Sequence, residues 1–134
     1  MTLDYKIKFI NTKLGEFKKH AIYSIEDIKN RISTYKGEVK LSSIFVTGKE
    51  KIYDVFKPDL TNLEQILSNE KIKSILICFD DQDYILFRYY QQNHKLGIDQ
   101  EGFMLTEFYS NGKAKLDEIL ACFKYQISSQ TISK

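Results

Sequence analysis

Residues 74–109 read SILICFDDQDYILFRYYQQNHKLGIDQEGFMLTEFY, and this stretch decides the fold. Ile75, Ile77 and Phe79 fall on one face of an extended segment while Leu76 and Cys78 fall on the other, so the strand is apolar on both sides. Asp80-Asp-Gln-Asp83 supplies a turn, and Tyr84 to Tyr90 returns as a second strand, again apolar on both faces. Asn93 to Gly97 marks the next loop, and Phe103 to Tyr109 makes the third strand. A loop centred near Gly97 predicts that Arg88 stands opposite Glu107 in the last hairpin. Strands of this kind need cover on both sides, from helices on one and from more protein or a partner on the other.

On the C-terminal side, Leu116, Ile119, Leu120, Phe123 and Ile127 recur at the spacing of a core-facing helix. The pattern predicts that Leu116, Ile119, Leu120 and Phe123 pack against Ile75, Ile77, Leu86 and Leu105, with a disordered tail over 128–134. On the N-terminal side, Leu3, Tyr5, Ile7 and Phe9 alternate with charged residues as in a half-buried strand. A turn over Asn11 to Gly15 leads to a second strand from Phe17 to Tyr23. Ser24-Ile-Glu-Asp is a capping-box-like start, and Ile25, Ile28, Ile32 and Tyr35 carry a helix to a stop at Gly37. Val39 to Val46 and Lys51 to Phe56 read as a further hairpin, closed by Pro58. Thr61-Asn-Leu-Glu64 opens a short helix ending near Asn69. The expected architecture is α+β: one domain over 1–134, a mostly antiparallel sheet, and about three helices packed on one of its faces.

The chain's 134 residues suffice for one substantial core. Its longest apolar run, Ile75 to Phe79, is far too short to span a bilayer, and the N-terminus lacks the charged head and apolar core of a signal peptide. The expected compartment is the cytoplasm, where Cys78 and Cys122, each set in an apolar pattern, would be buried reduced thiols. The net charge of +2 is small but unevenly placed. Residues 1–51 hold eleven Lys/Arg against six Asp/Glu, whereas residues 78–109 hold two against six. Such a chain is electrically polar.

No catalytic, cofactor-binding or metal site is expected. Asp80, Asp81 and Asp83 offer carboxylates, but a calcium loop also needs a glycine at its bend and a bidentate glutamate beyond it. Glu70-Lys-Ile-Lys73 has the wrong spacing for a metal-dependent nuclease, which wants acid and lysine two apart on one strand face. His20 and His94 lack a second ligand at metal spacing, and neither cysteine has a base beside it. The aromatics Tyr84, Phe87, Tyr89, Tyr90, Phe103, Phe108 and Tyr109 are divided by expectation between core filling and an exposed contact surface. Carboxylates close to them in sequence would repel phosphate and suit a basic protein better than nucleic acid.

Three segments, ILICFDD (75–81), YILFRYY (84–90) and GFMLTEFY (102–109), followed by an amphipathic helix, resemble the layout of small bacterial immunity proteins of polymorphic-toxin and contact-dependent growth inhibition systems. That resemblance covers mainly Ser74 to Ile127 and implies a cytoplasmic, non-enzymatic inhibitor that binds a cognate toxin domain and occludes it. The contact residues expected for such a partner are Asp80, Asp81, Asp83, Tyr89, Tyr90, Glu101 and Glu107. Neither membrane nor small-molecule substrate is expected. The alternative is a regulatory or adaptor domain that binds nucleic acid through the basic N-terminal half, with Lys6, Lys8, Lys13, Lys18, Lys19, Lys29 and Arg31.

Overall fold

In a computed structural model the described residues are 8–48, 51–55, 72–92, 95–97, 100–110, 115–122 and 126–128. Two sheets organise them. A small hairpin joins β1 (Phe9–Thr12) to β2 (Gly15–Lys18). The main sheet has six strands: β3 (Leu41–Thr47), β4 (Lys51–Val55), β5 (Ser74–Phe79), β6 (Tyr84–Gln92), β7 (Gln100–Tyr109) and β8 (Gln126–Ser128). Their spatial order is β7-β6-β5-β3-β4-β8, antiparallel throughout except for the parallel β4–β8 pair. Two helices are described, α1 (Ile25–Thr34) and α2 (Leu116–Ala121). The α+β class and the mostly antiparallel sheet are as the sequence predicts; the short helix expected over 61–69 lies outside the described residues, as does Phe123.

β5 is buried at every position, because both of its faces are covered. On one face Ile75, Ile77 and Phe79 join Ile44, Val46, Ile85, Phe87, Phe103 and Leu105 beneath Ile28 and Ile32 of α1 and Leu14 and Phe17 of the β1–β2 hairpin. On the other, Leu76 and Cys78 join Phe45, Ile52, Tyr84 and Leu86 beneath Ile119 and Leu120 of α2. The described helices therefore cover opposite faces of the sheet, where the sequence reading placed them on one. Of the four residues expected under the C-terminal helix, Leu86 alone shares its cluster; Ile75, Ile77 and Leu105 belong to the cluster beneath α1. Strand alternation is the reason, since odd and even positions of β5 must point to opposite sides.

Local chemistry sets the element ends. Ser24 caps α1 by accepting from the Asp27 N–H at 3.1 Å, one half of the anticipated box. The helix stops before Gly37, because Tyr35 is already extended and its hydroxyl donates to the Val39 carbonyl at 2.5 Å. β1 continues through the Asn11–Thr12 pair, expected as turn, and the hairpin turns at Lys13–Leu14. β2 ends at Lys18, followed by a bend in which His20 takes a left-handed φ of 65°. At the C-terminal end, α2 stops at Ala121 and Ile127 lies in β8, where a continuous helix was expected; Ser128, expected in a disordered tail, is also in that strand. Cys78 is buried as predicted, but Cys122 is exposed at the end of α2 with its Sγ 3.3 Å from the Glu118 carbonyl.

The last hairpin pairs β6 with β7 as expected, but in another register. Arg88 faces Met104 and Glu107 faces Leu86, because the register shifts between Leu86 and Phe87 and leaves Thr106 as an extra residue on β7. The Thr106 hydroxyl donates to the Leu86 carbonyl at 3.3 Å. The extra residue reverses the alternation, so Glu107 shares with Leu86 and Arg88 the face that α2 covers.

The chain entering α1 is fastened to the outer edge of β7. The Tyr23 N–H donates to the Phe103 carbonyl at 2.7 Å and the Phe103 N–H to the Tyr23 carbonyl at 2.8 Å. Gly102 permits this approach: a Cβ there would lie 2.6 Å from the Ile22 side chain and 2.7 Å from the Tyr23 carbonyl oxygen. The carbonyl cannot move aside without losing its bond to Phe103. Gly102→Ala is accordingly expected to cost about 1–3 kcal/mol in urea unfolding, as overpacking does. A loss below about 0.5 kcal/mol would show that the Tyr23 segment yields freely.

Candidate interaction surface

The acidic turn sits at one end of the sheet, between β5 and β6. Asp80 and Asp81 are outside the core, whereas Asp83 is 6% exposed. Gln82 takes the left-handed conformation, φ 64°, at the bend. The Asp83 N–H donates to Asp81 Oδ1 at 3.2 Å and the Asp83 carbonyl accepts from the Phe79 N–H at 3.0 Å. Into this loop reaches Lys13, from the turn of the β1–β2 hairpin. Its Nζ lies 2.6 Å from Asp81 Oδ2, 2.7 Å from Asp83 Oδ2 and 5.7 Å from the centroid of the Phe79 ring. Lys13 offsets one of the three carboxylate charges of Asp80, Asp81 and Asp83, and it ties the small hairpin to the main sheet. Sequence reading could not pair residues seventy positions apart.

Tyr89, Tyr90 and Glu101 lie towards the other end of β6 and β7. Six residues of strand separate Tyr89 from Asp83, about 20 Å at roughly 3.4 Å per residue. The expected contact residues thus form two groups on one hairpin. They also divide between faces. Tyr89 pairs with Phe103 on the α1 side, its ring 5.9 Å from the Phe103 centroid, and its hydroxyl donates to Glu101 Oε2 at 2.7 Å. Tyr90 and Glu107 point to the α2 side, since Tyr90 alternates with Tyr89 and Glu107 stands opposite Leu86. Among the aromatics named from sequence, Tyr84, Phe87 and Phe103 fill the two cores, Phe108 and Tyr109 are half-buried, and Tyr89 and Tyr90 are exposed.

The large apolar side chains exposed among the described residues are Phe9 (51%), Tyr89 (37%), Tyr90 (46%) and Leu96 (103%). Three of them belong to the β6–β7 hairpin, where Leu96 occupies the loop. Sequence reading missed Leu96 because a single leucine in a polar loop carries no periodic signal. The hairpin also outruns its neighbour. The β5–β6 ladder ends at Ser74↔Arg88, with one further bond from the Tyr89 N–H to the Lys73 carbonyl at 2.8 Å, whereas β6 and β7 stay paired to Gln92↔Gln100.

The basic residues of the N-terminal half have separate fates. Lys29 is buried, with its Nζ 2.9 Å from Glu26 Oε1. Arg31 lies 4.0 Å from the Phe17 ring centroid, donates from Nε to Asp27 Oδ2 at 3.1 Å and from Nη1 to the Glu16 carbonyl at 2.8 Å. Lys8, Lys18 and Lys19 are exposed, and Lys6 lies outside the described residues. Among the described residues no group of three His, Cys, Asp or Glu side chains is placed to hold a metal ion, and no helix is long and apolar enough to cross a membrane. Compared with known protein families, with curated proteins and with solved structures, the chain matches none.

Burial alone would lower the Lys13 pKa, but the hydrogen bonds and charges of Asp81 and Asp83 outweigh it and hold the ammonium above the ordinary lysine value. Burial raises Tyr84 and Tyr109, and the hydrogen bond to Glu101 raises Tyr89. In each case folding favours the protonated form. These contributions are complete at neutral pH and are lost as pH rises above about 10, through the raised values. The urea midpoint is expected to hold from pH 7 to 9 and to fall beyond about pH 10, and Lys13→Met should lose part of that alkaline step. Asp83→Ala should cost about 1.5–3 kcal/mol at pH 7, as loss of a charged hydrogen bond in a poorly solvated site does. An unchanged midpoint in Asp83→Ala would mean that Lys13 holds the turn through Asp81 alone.

Proposed function

We propose that this chain is an immunity protein, a non-enzymatic binding module that neutralises a cognate bacterial toxin domain by protein–protein contact. The observation that carries the reading is that one hairpin exposes Tyr90 and Leu96 on the part that overruns its neighbour and Tyr89 at the root of that part, on the opposite face. Isolated exposed apolar groups are ordinary, but several on one projecting element mark a contact surface. Tyrosine is a preferred anchor there, because its ring buries large area at little entropic cost and its hydroxyl keeps a polar partner. A hairpin that outruns its sheet can enter a cleft without the body of the protein obstructing it, and in a toxin the cleft is where substrate binds. Occlusion of that cleft is the mechanism. Glu101, held by the Tyr89 hydroxyl, fixes the orientation of that ring. In this reading the acidic turn steers association, chiefly through Asp80, since Lys13 already engages Asp81 and Asp83.

The test is protection of cells that express the toxin domain encoded beside this chain. Tyr90→Ala combined with Leu96→Asp is expected to leave the fold intact, to weaken the complex about 30-fold or more through faster dissociation, and to abolish protection. Asp80→Lys should slow association by no more than about 10-fold and leave dissociation unchanged. Full protection by the folded double variant would remove the hairpin from the interface.

A further inference from the structure

We infer that Glu101 and Tyr89 form the receptor for one arginine of the toxin domain, an inference that rests on the toxin-neutralising reading. The Glu101 carboxylate pairs with the guanidinium, and the Tyr89 ring lies against it. Glu101 is thereby the position that selects the partner.

Tyr89, Gln91, Glu101 and Phe103 share the α1 side of the last hairpin, since Tyr89 stands opposite Phe103 and Gln91 opposite Glu101. Phe103 is buried and gives the Tyr89 ring a footing, the two rings 5.9 Å apart and 75° to one another. From that footing the Tyr89 hydroxyl donates to Glu101 Oε2 at 2.7 Å. The other carboxylate oxygen, Oε1, has neither an ion pair nor a hydrogen bond among the described residues. Tyr89, Gln91 and Glu101 are all exposed, so a group from outside can reach the carboxylate and the ring together. A carboxylate already held by a hydroxyl loses less freedom when a partner arrives than a mobile one would.

The same chain already holds an arginine with this chemistry. Arg31 donates from Nε to Asp27 Oδ2 at 3.1 Å while its guanidinium carbon lies 4.0 Å from the Phe17 ring centroid and 5.2 Å from that of Tyr23. A carboxylate beside an aromatic ring suits a guanidinium, which is flat, always charged and weakly hydrated, better than the compact and strongly hydrated ammonium of lysine. Interfaces accordingly favour arginine over lysine. The surroundings agree in sign: residues 78–109 hold two Lys/Arg against six Asp/Glu, and Lys13 offsets one of those carboxylates. A basic partner is the complement of such a surface. The pair is also continuous with the proposed contact, since Tyr89 precedes Tyr90 and Glu101 lies on the strand that leaves the Leu96 loop.

The experiment is a double-mutant cycle on the complex with the toxin domain encoded beside this chain. Each arginine and lysine of the toxin is changed to alanine in turn, and each variant is titrated against the whole wild-type chain and against Glu101→Gln. Glutamine keeps an acceptor for the Tyr89 hydroxyl and removes the charge, and circular dichroism verifies that the fold is kept. Glu101→Gln is expected to weaken the complex about 10-fold or more. Loss of one toxin arginine should weaken binding to the wild-type chain by a similar factor, yet change binding to Glu101→Gln by less than about 2-fold. Tyr89→Phe, which frees the carboxylate, should weaken the complex about 3-fold. Two results would each overturn the arginine receptor while leaving the toxin-neutralising reading in place: a complex indifferent to Glu101→Gln but broken by Tyr90→Ala with Leu96→Asp, or coupling of Glu101 to a lysine. Absence of any complex with the wild-type chain would overturn both.

Discussion

Everything in this molecule follows from a strand that cannot tolerate water on either side. β5 is buried at every residue, with Ile75, Ile77 and Phe79 in one core and Leu76 and Cys78 in the other. Burying one large aliphatic side chain contributes about 1.5–3 kcal/mol relative to exposing it, so leaving either face bare would forfeit several such terms. Among the described residues, α1 and the β1–β2 hairpin cover one face and α2 covers the other. Neighbouring strands inherit the same two-sided burial as far as the covers reach. Beyond them, at Tyr89 and Tyr90, the same strand is exposed, and it is there that a partner has something to hold.

The covers would drift without fasteners, and the fasteners are polar. Lys13 ties the turn of the small hairpin to the β5–β6 turn, and Arg31 ties α1 to β2 by lying over Phe17 while donating to Asp27 and the Glu16 carbonyl. Tyr23 closes the remaining side by pairing with Phe103 on the β7 edge, which also blunts an edge strand otherwise open to unwanted pairing. These contacts take up the charges that a reading of composition would credit to the surface. Among the described residues, the large apolar side chains left exposed are Phe9 at the open end of one hairpin and Tyr89, Tyr90 and Leu96 along the other.

Period-two alternation and turn chemistry made β3 to β7 legible, and Ser24 marked the start of α1 through its cap. These are local effects, set by residues within a few positions of each other. The β7 register was not legible, because Thr106 is an extra residue whose presence depends on the fit between two strands. Nor was the end of the C-terminal helix: Ile127 continues a helical period yet pairs in β8 beside β4, where tertiary pairing overrides propensity. Cys122 likewise sits in an apolar pattern but falls at the helix end, outside the buried stripe.

The sequence by itself determined the fold class, the burial of the central strands on both faces, and the supply of aromatic and charged groups from which any contact surface must be drawn. It did so because hydrophobic periodicity is written in neighbouring residues and the hydrophobic effect acts on it without regard to distant partners. The tertiary structure alone decided which cover lies on which face and which charges are spent in pairs. It also decided that Asp80, Asp81 and Asp83 stand about 20 Å of strand away from Tyr89 and Tyr90. The physical reason is that ion pairing and exposure depend on separation through space, and Lys13 meets Asp83 across seventy positions of chain that no local pattern encodes.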